Sequence, residues 1–87
     1  VPSERNAPPT YPHSARRHGH EGLVVLRACV SLRGACVSVA VERSSGHTEL
    51  DQAAAEAVRT WQFRPALLNG APVEAEVEIP VRFKLTD

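Results

Sequence analysis

The chain has 87 residues, of which 43% are apolar, and its ten Lys and Arg residues balance ten Asp and Glu. That length supports one domain with a single modest core, built mostly of Val, Leu and Ala around Tyr11, Trp61, Phe63 and Phe83. Zero net charge supplies no field toward nucleic acid or anionic lipid, and no apolar run approaches the ~18 residues of a membrane span.

Residues 1–10, "VPSERNAPPT", carry three prolines and no apolar period, which predicts a flexible lead-in or the end of a linker. Residues 11–87 are the expected domain. Pro12 suits an early helical position and Gly19 a helix end, so a short first helix is expected between them. A strand is predicted from Leu23 to about Leu32, with Val24, Leu26, Ala28 and Val30 on one face. Gly34 marks a tight turn, and a second strand runs from Ala35 to Glu42. "RSSGHT" then reads as a loop, with Thr48 as N-cap and Glu49 and Asp51 in the first turn of a helix. Leu50, Ala54, Ala57, Val58 and Trp61 recur at helical spacing along it. "FRPALLNGAP" breaks the helix and leads into a last strand from Val73 to Leu85, where every odd position is apolar.

The expected fold is therefore α+β, in the order helix, strand, strand, helix, strand. Three strands cannot cover their own faces, so both helices should pack on the Val24/Val39/Val77 side. The first two strands make a hairpin, and a right-handed crossover places the third beside the first, giving an antiparallel sheet of order 2-1-3. The last strand then lies at an edge, which is where Pro80 is tolerated. Two readings of that edge remain open. Pro80 and the charges Glu74, Glu76, Glu78 and Lys84 can simply block aggregation, or the edge can be kept free for an incoming peptide strand.

Other residues invite chemistry and support little of it. Ser44, Ser45, His47 and Asp51 include nucleophile, base and acid types, but crowding in sequence does not make a triad, and a loop entering a helix explains them. His13, His18 and His20 lack a carboxylate or thiol partner at recognisable spacing, so no metal is expected. Trp61 and Phe63 lie at the core-facing end of the helix and read as core. Matching apolar faces in the hairpin pairs Val30 with Ala35 and Ala28 with Val37, which sets Cys29 opposite Cys36 and permits a disulfide. A bulge at Gly34 would instead put the two thiols on opposite faces. Neither a cofactor nor an enzymatic activity is expected.

Residues 8–85 resemble the C-terminal domain of the TonB family, the energy transducers of Gram-negative bacteria. The resemblance rests on Tyr11-Pro12, Glu21-Gly22, Gly34, Ser44-Ser45-Gly46, Leu50-Asp51, Trp61-x-Phe63-x-Pro65, Gly70 and the terminal Val81-Arg82-Phe83, in order. It implies a non-catalytic periplasmic domain, tied through a proline-rich span to an inner-membrane helix and its proton-driven motor. Such domains bind the TonB box of outer-membrane receptors against their last strand and energise uptake of siderophore iron, haem or cobalamin. The residues expected to meet that partner are Val77, Glu78, Ile79, Pro80, Val81, Arg82 and Phe83, together with Tyr11 and Pro8. Pro8 stands where enteric members carry a Gln that contributes to box recognition. Tyr11 can serve that edge or staple the first helix to the core. The edge also leaves homodimerisation through the last strand open. A TolA-like or sensory cell-envelope domain of the same fold is the alternative.

Overall fold

The computed structural model describes residues 6–85. In chain order it contains α1 (His13–His18), β1 (Gly22–Val30), β2 (Cys36–Arg43), α2 (Thr48–Arg59), β3 (Ala66–Leu68), β4 (Ala71–Val73) and β5 (Ala75–Phe83). The three long strands form one antiparallel sheet in the order β2-β1-β5, so the predicted topology holds. Residues 1–5 of the expected lead-in lie outside the described residues.

Both helices cover one face of this sheet. Val24, Leu26 and Ala28 of β1, Leu50, Ala54 and Val58 of α2 and Ala15 of α1 are fully buried between the layers, with Ile79, Val81 and Phe83 of β5 beside them. Leu50, Ala54 and Val58 recur every four residues and so share one helix face. Burying Leu26 or Leu50 contributes about 1.5–3 kcal/mol each over leaving it exposed. Val39 and Val77 are half-buried at the margins of the same core.

Local chemistry sets the ends of the helices. Gly19 adopts φ +71° and closes α1, while the His20 N–H bonds the Ala15 carbonyl at 2.9 Å. At the start of α2 the expectation shifts by one residue: His47 occupies the N-cap position and Thr48 is already helical. His47 gives no side-chain cap. Asp51 reaches back instead, accepting the Ser45 N–H at 2.9 Å and the hydroxyls of Ser44 and Ser45. These serines therefore organise a helix entrance. At the other end the helix stops at Arg59, and the Thr60 hydroxyl bonds the Ala57 carbonyl at 2.8 Å, so Trp61 lies past the helix.

Three sequence expectations about the strands are corrected. First, the hairpin register is offset from the predicted one. Ser31 N–H bonds Ala35 O at 2.9 Å and Gly34 N–H bonds Ser31 O at 3.0 Å, with Gly34 at φ +82°. This is a turn closed by a glycine bulge. Second, a further irregularity leaves Val37 unpaired between Val30↔Cys36 and Cys29↔Ser38. Val37 is exposed as a result. Cys29 therefore faces the open side of the sheet beside Glu76, whereas Cys36 packs against the core; both thiols are free. The bridge that depended on direct pairing has no such pairing. Third, "ALLNGAPV" is itself a hairpin, β3 and β4, turning through Asn69 at φ +53° and Gly70 at φ +82°. Two consecutive positive φ values are what the tightest hairpin turns need, and Asn-Gly supplies them. The last long strand consequently begins at Ala75 rather than Val73.

Candidate functional site

β5 is one of the two edge strands of the sheet, β2 being the other. Its odd residues point into the core, with Ile79, Val81 and Phe83 buried and Val77 half-buried, while Glu76, Glu78, Pro80 and Arg82 are exposed. All nine of its residues pair with β1 without a register shift, through the Val25↔Pro80 pair included. Among the described residues no strand pairs with its other side.

The direction of the backbone groups follows from the hairpin. Ser31 N–H points to β2, and groups along a strand alternate sides, so those of Cys29, Arg27 and Val25 also point to β2. Val25 therefore exchanges no bonds with Pro80, and the proline nitrogen faces outward. The same parity turns the backbones of Glu76, Glu78 and Arg82 outward and those of Val77, Ile79, Val81 and Phe83 toward β1. Pro80 costs the sheet nothing at this position. The rim thus offers four carbonyls and, from Glu76, Glu78 and Arg82, three N–H donors. A guest strand would find a missing donor in the middle and complete pairs on either side.

This geometry sorts the residues expected from sequence. Glu78, Pro80 and Arg82 present backbone groups at the rim. Val77, Ile79, Val81 and Phe83 anchor the strand. Glu76 belongs with the first group, and only the parity of the hairpin reveals it. Tyr11 is half-buried at the far end of β5, its ring edge-on to Phe83 at 5.4 Å, and its hydroxyl donates to the His20 carbonyl. It both staples α1 and borders the strand. Pro8 is not brought to the rim. It lines a shallow groove with Ala7, Thr10, Ala53, Glu56, Ala57 and Thr60, because the lead-in runs along α2. That lead-in is tied at Trp61, whose indole N–H bonds Ala7 O at 2.7 Å, and at Gln62, whose backbone exchanges two bonds with Asn6. Phe63 is buried in the core and Trp61 half-buried.

Charge on the open face is organised around Arg27. Its guanidinium bonds Glu42 on β2 and lies 3.7 Å from Glu76 on β5. Glu78 lies beside Glu42 on this face, and the interaction of the two carboxyls holds that of Glu78 above and that of Glu42 below the ordinary range. One proton between two facing carboxylates explains both directions. Asp51 is partly buried, which alone would raise its carboxyl, but the bonds from Ser44 and Ser45 more than offset this and hold it low.

Residues 7–85 match the family model described as the Gram-negative bacterial TonB protein C-terminal. The chain belongs to the TonB C-terminal family. It is 42% identical over 77 residues to Protein TonB of Vibrio cholerae serotype O1, covering 88% of this chain and 32% of that protein. It is also 42% identical over 80 residues to Protein tonB2 of Pseudomonas aeruginosa, covering 92% of this chain and 30% of that protein. Among solved structures, the solution NMR structure of the Pseudomonas aeruginosa TonB C-terminal domain aligns with a TM-score of 0.81 at 26% identity. That alignment covers 100% of this chain and 87% of that one. The chain spans about a third of the length of these curated TonB relatives. TonB-family proteins are non-enzymatic energy transducers.

Proposed function

We propose that this domain is the periplasmic receptor-binding end of an inner-membrane-anchored transducer, and that it captures the TonB box of outer-membrane receptors as an added strand on β5. The observation that supports this most is the unoccupied rim, with Glu76, Glu78, Pro80 and Arg82 directed outward and the lead-in routed along α2. Main-chain recognition tolerates varied side chains, which suits one transducer serving several receptors for siderophore iron, haem or cobalamin. Energy from the proton-driven motor would reach the receptor through the segment preceding residue 6. The rim is acidic at Glu76 and Glu78 and basic at Arg82 and Lys84, so it favours a guest whose charges run in the opposite sense. A second copy of the domain can occupy the same rim at high concentration, which makes self-pairing and peptide binding mutually exclusive.

Titrating the labelled domain with synthetic receptor N-terminal peptides, while following backbone amide signals, tests this. The expected shifts centre on residues 76–82, with loss of solvent exchange at Glu76, Glu78 and Arg82. Shifts confined to the helices, with those three amides silent, would exclude strand addition.

A further inference from the structure

Away from β5, three donor side chains from two elements of the fold converge. His20 lies in the turn between α1 and β1, His47 at the N-cap position of α2, and Glu49 in the first turn of that helix. Their ligand atoms all lie within 4.8 Å of one another. The imidazoles of His20 and His47 stack with centroids 4.0 Å apart and planes 10° apart, and Nδ1 of His20 is 3.3 Å from Oε2 of Glu49. We propose that His20, His47 and Glu49 form a site for a first-row divalent transition metal ion of the zinc class.

The chemistry of the donor set selects the ion. Two imidazoles and a carboxylate suit Zn²⁺, Co²⁺, Ni²⁺ or Cu²⁺ and are poor for Ca²⁺ or Mg²⁺, which take oxygen ligands. A tetrahedral ion with bonds of about 2.0–2.1 Å holds its donors about 3.3 Å apart, so the widest pair must close by up to about 1.5 Å. Parallel rings cannot both aim a lone pair at one ion, so the closure is a splaying of the two imidazoles. All three side chains are only half-buried and can turn. Their backbones, in contrast, are pinned. The His20 N–H bonds Ala15 O and its carbonyl accepts from Tyr11; the His47 N–H bonds the Ser45 hydroxyl, and its carbonyl accepts the Leu50 and Asp51 N–H groups.

Electrostatics favours the cation once both acidic residues of this turn are counted. The positive end of α2 opposes a metal ion. Glu49 and Asp51, both in the first turn of α2, answer it. Three protein ligands leave one position to water. The bound ion would staple the α1–β1 turn to α2, next to the Gly22↔Phe83 pair at which β5 ends.

Cobalt(II) and zinc(II) chloride test the site directly. Co²⁺ titration should give saturable visible absorption at one ion per chain, competed by Zn²⁺, and Zn²⁺ should raise the melting temperature with concentration. His47→Ala and Glu49→Gln should each weaken Zn²⁺ binding by about tenfold or more, while His13→Ala stays within about twofold. Far-ultraviolet circular dichroism of each variant confirms that it remains folded. Absence of saturable binding up to about 1 mM Zn²⁺ would overturn the proposal. So would binding that survives His47→Ala unchanged, or that His13→Ala weakens equally.

Discussion

Replacing Glu78 by proline removes an N–H that faces outward, whereas replacing Ile79 by proline removes one that faces β1. The two positions are adjacent, yet the consequences should differ sharply. At Glu78 no ladder bond is lost and the side chain is exposed, so unfolding free energy should change by no more than about 1 kcal/mol. At Ile79 the Leu26 carbonyl loses its donor, which costs about 1–3 kcal/mol in a buried setting. Shrinking a side chain that is only 6% exposed adds about 2 kcal/mol for the space left behind. The sum, about 3–5 kcal/mol, is a large share of the roughly 5–15 kcal/mol that holds a domain together. Urea denaturation with equal slopes measures both. In the peptide titration Glu78→Pro, still folded, should weaken binding by about twofold to tenfold, the worth of one main-chain hydrogen bond. Equal destabilisation by the two prolines would refute the backbone parity deduced from the hairpin. Unchanged peptide affinity in Glu78→Pro would show that the guest does not use that donor.

Gly34→Ala should be among the most damaging single changes, because the glycine sits at φ +82° and an added Cβ would come within 1.9 Å of the Phe63 carbonyl oxygen. A loss of at least about 3 kcal/mol is expected in thermal or urea unfolding, and a variant as stable as the parent would contradict it. Asp51 and Glu49 carry carboxyls held below their ordinary range, so each binds fewer protons folded than unfolded. Their contribution is present above the unfolded carboxylate range of about 4 and is lost as pH falls from there through the lowered folded-state values. Asp51→Asn should therefore show a smaller drop in urea midpoint between neutral and acid pH than the parent, and an equal drop would dismiss the Asp51 network. Glu78, held high, shifts the opposite way in both proteins and cancels from that comparison. Burial, followed by the proximity of Cys29, pushes the Cys36 thiol up, so its alkylation by iodoacetamide should be slower in the folded than in the unfolded chain. Mild oxidation should leave both thiols free within one molecule; a quantitative mass loss of both hydrogens would restore the bridge.

The alternation from Val77 to Phe83, the helical spacing of Leu50, Ala54 and Val58 and the turn residues Gly19 and Gly34 carried the topology in the sequence itself. Burial period and backbone permissiveness are properties of the residues, so they can be read without coordinates. What could not be read was set by non-local geometry. The hairpin register depends on where two extra residues, at Gly34 and Val37, are accommodated, and apolar matching alone favoured a pairing two steps away. The Asn69-Gly70 dipeptide marks a turn, but its flanking strands of three residues each are too short to show an alternation. At the rim, alternation identified which side chains are exposed. Knowing which backbone groups face outward required the Ser31–Ala35 bond. The meeting of His20 with His47 and Glu49 joins positions up to 29 residues apart in sequence and had no local signature.

The anchoring of Asn6 and Ala7 at Trp61 and Gln62 has a mechanical consequence. Tension arriving from the amino-terminal side enters the fold at that corner, beside the bridge between Gln62 and Ala35 and close to the end of the sheet where β5 begins. Under the proposed strand addition, a pull along the axis of β5 would load all main-chain bonds of the docked ribbon in shear together. A ribbon so loaded would resist far greater force than one peeled from an end.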